Sequence, residues 1–408
     1  MRSQSFVKKT EYLDRGIQLK NHRRATRTII TLYGKIAYHR SILIPADNTS
    51  KERLLATEQA KSIAPLDQVL GIDLLPFKMS VELMLQCAYW AQNQGSYQDA
   101  EEALYEASGL WINDDMIRLV TNCVGRLVYE EDCRSVNELL QKYDSGRLDY
   151  GQPRPGVLYI EADGAALNTR DKDAAGSTWR ENKLGVVFTS ENIRFWKDKK
   201  GDRQHRLLKR EYISYIGSVD TFKKHLFACA YRGGYGAYEE TVILSDGASW
   251  IANMADELFP DAQRILDLYH LKENVYTYAK NKFDLDEEKY HPWAEDVCQK
   301  LEDGQWEAVL SMLSFEKKYS NCINLSRYIS ENKDSINYPV YKAKGYFVGS
   351  GAVESGHKTI LQKRLKQAGM RWEPETAQYL LTLRAKKESG LWEKDVVRYI
   401  RDYYSNRT

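Results

Sequence analysis

Two short runs of this chain end the same way. VLYIEADG (157–164) closes on Asp163 and Gly164, and TVILSDG (241–247) closes on Asp246 and Gly247. Each reads as a buried β-strand whose tip is a carboxylate followed by a glycine. In the first run Val157, Tyr159, Glu161 and Asp163 share one side of a period-two segment, with Leu158, Ile160 and Ala162 on the other. Glu161 and Asp163 therefore point the same way at the end of an otherwise apolar strand. One Asp-Gly tip is an ordinary turn. Two of them, if their strands are neighbours, set two carboxylates at one edge of one sheet.

The segments around these tips give the architecture. Residues 26–44 alternate on either side of Tyr33-Gly34-Lys35 and read as a β-hairpin with a glycine turn. A helical block follows to about 145. Within it, Tyr97, Ala100, Leu104 and Ala107 form one helical face that closes at Gly109. Asn113 is a natural N-cap for a second helix, with Asp114 and Asp115 in its first turn and Met116, Ile117, Val120, Val124 and Leu127 buried. The pair reads as a helix-turn-helix or as a plain αα-hairpin. On the first reading Arg118, Thr121, Asn122 and Arg126 face outward to meet phosphates or base edges.

From about 155 the texture changes to α/β. VLYIEADG, KLGVVFTS (183–190) and REYISYIGSV (210–219) are extended; a helix, the strand ETVILSDGASW, a helix, the strand AQRILDLYHL and a helix follow. Three extended segments and then helix, strand, helix, strand is the order of a ribonuclease H-like fold. Residues 284–345 read as helices, with Trp293, Val297 and Leu301 as one periodic set and Trp306, Val309, Leu310 and Leu313 as another. GGYG at 233–236 lacks the Lys-Ser/Thr of a phosphate loop and reads as a helix-to-strand turn. The expected regions are a basic hairpin (1–60), a helical helix-turn-helix-like domain (61–150), an α/β core (151–283), a helical insertion (284–345) and basic C-terminal helices (346–408).

Charge and cysteine content narrow the function. Lys and Arg (59) nearly cancel Asp and Glu (57), so any nucleic-acid partner must be read from where the charge lies. Residues 15–40 hold Arg15, Lys20, Arg23, Arg24, Arg27, Lys35 and Arg40, and 358–371 hold Lys358, Lys363, Arg364, Lys366 and Arg371 with no acid. The six cysteines contain no CxxC and the seven histidines no HExxH, which gives no zinc or redox motif. No apolar run is long enough to span a bilayer, and the polar start MRSQSFVKKTEY is no signal peptide. These features point to a soluble cytoplasmic protein.

A third acid, Glu354 in GSGAVESGHKTILQKRLKQAG, opens a helix after a glycine-rich turn. Two aspartates on strand tips and a glutamate on a later helix are what two-metal phosphoryl chemistry requires. Two Mg²⁺ ions, with Mn²⁺ able to substitute, need hard oxygen ligands on rigid elements. Asp163 is the first candidate ligand, and Glu161 on the same strand face competes with it.

The stretches YIEADGA, LGVVF, LSDGASWI, LDLYHL, GSGAVESGHK, RLKQAGMRW and LLTLRAKKESGLW, with SYQDAEEALYEASG ahead of them, resemble the bacterial insertion-sequence transposases of the DDE superfamily. Within it they are most similar to the ISKra-type group and its ISLre-type relatives. The resemblance covers roughly residues 20–400. It implies that Asp163, Asp246 and Glu354 form the metal-binding triad, and that a helical insertion lies before the Glu helix. Asp267 and His270 resemble an Asp/Cys-x-x-His signature, which implies either a helper beside the scissile phosphate or a histidine holding the turn. Arg364, Lys366, Arg371 and Trp372 read either as a grip on DNA backbone or a flipped base, or as ordinary helix packing.

The leading expectation is a transposase that binds double-stranded DNA, both element ends and target, as a homodimer or higher synaptic assembly. It would cut and join phosphodiester bonds with one metal site, at the nucleoid, with no membrane and no small-molecule substrate. The alternatives are a catalytically inactive or domesticated DNA-binding derivative, and, more remotely, a paired-carboxylate glycoside hydrolase suited to 28 Tyr and 9 Trp.

Overall fold

The computed structural model describes residues 9–197, 199, 201, 203–314 and 322–405. The first eight residues of the expected hairpin region, residues 315–321 of the expected insertion and the last three residues lie outside that set. The chain divides into two compact units, 1–129 with 391–408, and 130–390. The expected C-terminal region is therefore shared between the two. Among the described residues no helix is long and apolar enough to cross a membrane.

After a helical stretch at 9–14, the first unit carries the expected hairpin, longer than its alternation suggested. Strands β1 (Leu19–Thr31) and β2 (Gly34–Pro45) pair antiparallel around Gly34, whose φ of 100° suits a residue without Cβ. One buried carboxylate, Asp67, gathers three side chains of the hairpin. It takes Arg27 at 2.6 Å, the Tyr38 hydroxyl at 2.7 Å, and Arg40. Two of the seven basic residues of 15–40 are thus neutralised internally, and Arg15 pairs with Glu58. Helix α1 (Asn48–Glu58) closes a small core of Tyr12, Ile17, Leu43, Leu54 and Ile63. After α2 (Pro65–Val69), which carries Asp67, come α3 (Val81–Asn93), α4 (Tyr97–Ser108) and α5 (Asp114–Asp144).

Helix α4 starts in a capping box between Ser96 and Asp99 and stops at Gly109 with φ 69°. Helix α5 starts as expected at Asn113, whose Oδ1 accepts the Met116 N–H at 3.0 Å. It then runs for 31 residues, beginning in the first unit and ending in the second.

The second unit is built on one mixed five-stranded sheet. Strand β3 (Arg154–Asn168) is central and pairs antiparallel with β4 (Trp179–Thr189). A separate hairpin, β5 (Ile193–Lys197) and β6 (Arg203–Leu207), follows, and then β7 (Glu211–Ile216) pairs antiparallel with β4. Helix α6 (Val219–Gly233) leads to β8 (Tyr238–Ser245), parallel to β3. Helix α7 (Ser249–Leu258) leads to β9 (Gln263–Leu266), parallel to β8. The strand order is β7-β4-β3-β8-β9. GGYG is the expected turn between α6 and β8, with Gly234 at φ 105° and Gly236 at φ 81°.

One face of the sheet buries Leu158, Ile160, Ala162 and Val187 against Phe222, Leu226 and Phe227 of α6 and Ile251, Met254 and Ala255 of α7. The period-two reading of VLYIEADG thus puts its apolar residues where they were expected. Helix α8 (Leu268–Lys282) follows β9, and the described residues of the insertion form α9 (Glu287–Glu302), α10 (Trp306–Leu313), α11 (Leu325–Glu331) and α12 (Tyr338–Ala343). Helix α13 (Gly351–Gly356), a π-helical turn (His357–Gln362) and a last turn (Lys363–Leu365) cross the opposite face of the sheet. Gly356 sits so close to it that a Cβ would meet Leu184 and Tyr212 at 2.7 Å. Helix α14 (Pro374–Glu388) packs beside β7, where Gln378 accepts the Ile216 N–H at 2.8 Å and donates to the Ser214 carbonyl at 2.9 Å.

Candidate active site

Parallel pairing of β3 with β8 sets Glu161 opposite Leu244. Asp163 and Asp246, each two residues further along, come level at the same edge of the sheet. Each is partly buried and held by its own turn: Asp163 Oδ1 accepts the Gly164 N–H at 2.7 Å, and Asp246 Oδ1 accepts the Ala248 N–H at 2.9 Å. Gly247 has φ 90°, and a Cβ there would strike Leu266 and Tyr328 at 2.9 Å. Tyr328 of the insertion in turn donates its hydroxyl to the Asp246 carbonyl at 2.6 Å.

The two carboxylates differ electrostatically. Burial raises the pKa of Asp163, but His357, with Nε2 3.2 Å from Oδ2, and the Gly164 amide outweigh it, so the group sits below the ordinary carboxylate value. Burial raises Asp246 as well; the Ala248 amide opposes this, the charge of Asp163 adds to it, and the net shift is upward. Adjacent carboxylates with mutual repulsion are a setting that a cation relieves.

Glu354 lies in the first turn of α13. His270 stands near it, with Nε2 3.9 Å from Glu354 Oε1, and a positive charge on its ring would lower the pKa of both Asp163 and Asp246. Two buried acids fix the backbone between these groups. Asp267, fully buried, accepts the His270 N–H at 2.9 Å through Oδ1 and both the Ser350 N–H and hydroxyl through Oδ2. Its own amide donates to the Ser245 carbonyl at 2.8 Å. Asp267 therefore ties the strand end before Asp246, the start of α8 and the start of the Glu354 helix into one knot. It is a positioning residue.

Glu161, 1% exposed, accepts the Val353 N–H at 2.8 Å, and burial pushes its carboxyl up to about 8. It shares a strand face with Asp163, as the alternation required, but its oxygen is committed to the helix that carries Glu354.

Among the described residues, no three His, Cys, Asp or Glu side chains already stand close enough to hold a metal ion. The donor chemistry nonetheless suits a hard divalent cation: two level carboxylates, a third on the facing helix, and no thiolate.

His357 was not anticipated. Its signal is the Glu354-x-x-His357 spacing, which sets both side chains on one face of a helix. Four expected DNA-contacting residues are corrected. Thr121 is 1% exposed, because it shares the stripe of Ile117, Val124 and Val128, and its hydroxyl is spent on the Ile117 carbonyl at 2.6 Å. Asn122 is partly buried, its Oδ1 enclosed. Arg364 is 1% exposed with its guanidinium 5.1 Å from the Trp372 ring, and Trp372 donates Nε1–H to the Leu365 carbonyl at 3.0 Å. This pair packs the end of the Glu helix and offers no stacking platform. Arg23, Arg24, Arg118, Arg126, Lys366 and Arg371 are exposed as expected, with Arg118 3.0 Å from Asp115.

Against protein-family models, residues 13–401 match the uncharacterised protein family UPF0236. The chain belongs to this family. No curated protein matches it. The match spans residues of both units.

Proposed function

We propose that this chain is a DNA transposase, a polynucleotidyl transferase that binds the ends of its element, cleaves phosphodiester bonds and transfers the freed strand to target DNA. The observation that carries the reading is the level placement of Asp163 and Asp246 on adjacent parallel strands, with Glu354 of the facing helix beside His270. The strand order, three antiparallel strands in succession and two more added parallel to the central one, favours a ribonuclease H-like catalytic domain.

Asp163, Asp246 and Glu354 would hold two Mg²⁺ ions, which when bound activate water or a 3′-OH and stabilise the leaving oxygen. The remaining work belongs to the protein. His357 keeps Asp163 ionised and oriented. Asp267 and Glu161 fix the entry of the Glu354 helix through the Ser350 and Val353 amides. His270 stands beside Glu354, with Nε2 3.9 Å from its carboxylate. Exposed Lys366 and Arg371 in the second unit, and Arg23, Arg24, Arg118 and Arg126 in the first, are placed on the surface to meet phosphates.

The test is Mg²⁺-dependent nicking and strand transfer on a labelled duplex bearing the element's own ends, with Asp246→Ala alongside. The expected result is cleavage by the native chain and a loss of several orders of magnitude in the variant, with DNA binding nearly unchanged. Binding without cleavage by both, in Mg²⁺ or Mn²⁺, would make the protein a DNA-occupying derivative. No binding by either would overturn the proposal.

A further inference from the structure

The β1–β2 hairpin of the first unit has two unlike faces. Residues directly opposite in an antiparallel pair share a face, so Ala25 with Arg40, Arg27 with Tyr38 and Ile29 with Ile36 form one side. That side is held down. Arg27, Tyr38 and Arg40 meet buried Asp67, and Arg27 also donates to the Ile72 carbonyl at 3.1 Å. The ribbon's edges are tied as well: Ile30 bonds Lys78 and Ser80 at 2.8 Å, and Leu43 bonds Ile63.

The other side pairs Arg24 with Ser41, Thr26 with His39, Thr28 with Ala37 and Ile30 with Lys35. Arg24, Thr26, Thr28, Lys35, Ala37 and His39 are all exposed. A cation stands at each end of this face, with small side chains and one imidazole between. Thr26 and His39 hold each other at 3.0 Å. From Arg15 to Pro45 the sequence has no acid, so the face offers no carboxylate to repel a phosphate.

These dimensions and side chains suit duplex DNA. The six residues from Arg24 to Ile30 rise roughly 20 Å. A major groove about 12 Å wide admits a two-stranded ribbon, and cations set farther apart than that width reach phosphates on both walls. Threonine hydroxyls bond either kind of base edge, and the methyls of Thr and Ala fit that of thymine. The second helix of the α4–α5 pair has less to read with, since the Thr121 hydroxyl is spent on the Ile117 carbonyl and Asn122 Oδ1 is enclosed. An acidic protein would match the cations and leave the small side chains without a role.

We propose that the β1–β2 ribbon is the element that reads base sequence, lying in a major groove with Thr26, Thr28, Ala37 and His39 on base edges and Arg24 and Lys35 on the flanking phosphates. The inference rests on the transposase reading for its partner and adds which part of the chain recognises the element's ends.

The experiment measures binding of the full chain to a labelled duplex of the element's end and to a scrambled duplex of equal length, over a range of salt. Thr28→Val keeps the side chain's shape and removes its hydroxyl. It and, separately, His39→Ala should lower the ratio of the two affinities about tenfold. Arg24→Gln and Lys35→Gln should weaken both duplexes alike, each reducing the slope of log affinity against log salt by about one. Uracil in place of thymine, or a 7-deazapurine in place of a purine, alters the major groove alone and should lower the ratio at some position of the end. If the native chain binds DNA without preferring the end, the ribbon inference is wrong and the transposase reading stands. The same holds if both Thr28→Val and His39→Ala keep the full preference and no major-groove replacement lowers it. Equal affinity for an RNA duplex of the same sequence would also overturn the inference, because that major groove is too narrow to enter. If the native chain binds no DNA, both readings are wrong.

Discussion

A fully buried carboxylate at position 267 has three protein donors and none left for solvent. Asp267→Asn turns one acceptor into a donor facing the Ser350 amide. It should cost about 3 kcal/mol in denaturant unfolding, against about 1 kcal/mol for Ser350→Ala, which removes only a hydroxyl. Histidine 225 makes a separate case. It is buried, stacks on Tyr215 at 5.9 Å, and burial with the nearby charges of Arg232 and Lys386 drives its pKa down to about 4. Its folded-state pKa lies below the unfolded value near 6.5, so the unfolded chain binds the extra proton between those limits. Stability from this group is complete above about pH 6.5 and is lost as pH falls towards 4. His225→Phe should flatten that limb of the stability profile by about 2 kcal/mol between pH 7 and pH 5, read from denaturant midpoints at the two values. Single residues were unevenly legible. Asp163 and Asp246 follow from strand period and turn chemistry alone. Arg364 and Trp372 did not, because a run of basic residues gives charge without depth, and depth here comes from the chain folding back at 370–372.

Among the elements, the π-helical turn at His357–Gln362 places His357 against Asp163, and its widened turn needs outside support. Arg384 of α14 supplies it. Buried, it donates to the Ile360 carbonyl at 2.7 Å and to the Thr359 carbonyl. Arg384→Met keeps much of the bulk and removes the donors. It should destabilise the fold by about 2–4 kcal/mol and lower cleavage without changing affinity for DNA, measured as kcat against KM. Gly356→Ala should cost about 1–3 kcal/mol, since its methyl must displace Leu184 and Tyr212. The sequence announced this helix through its apolar spacing but not its π turn, which depends on an arginine 25 residues away from Thr359. The β5–β6 hairpin escaped notice for a simpler reason. Most of its residues are exposed on both faces, so no buried side imposes alternation.

For the molecule as a whole, the last segment belongs with the first. Trp392 meets Tyr89 edge-on at 5.5 Å, Ile400 and Tyr404 are buried, and Arg401 grips Glu82 with two bonds of 2.7 and 2.9 Å. Removing residues 391–408 should strip amide-exchange protection from the Val81–Asn93 helix while strands β3 and β4 keep theirs, as hydrogen exchange would show. Arg401→Ala alone should leave stability nearly unchanged, since that pair is half exposed. Because a ribosome delivers residues in order, the unit begun at the hairpin waits for its final helix until all of 130–390 has been synthesised. A chain interrupted anywhere in the sheet unit would therefore lack the segment that packs on the Val81–Asn93 helix, and its opening unit would be left unfinished.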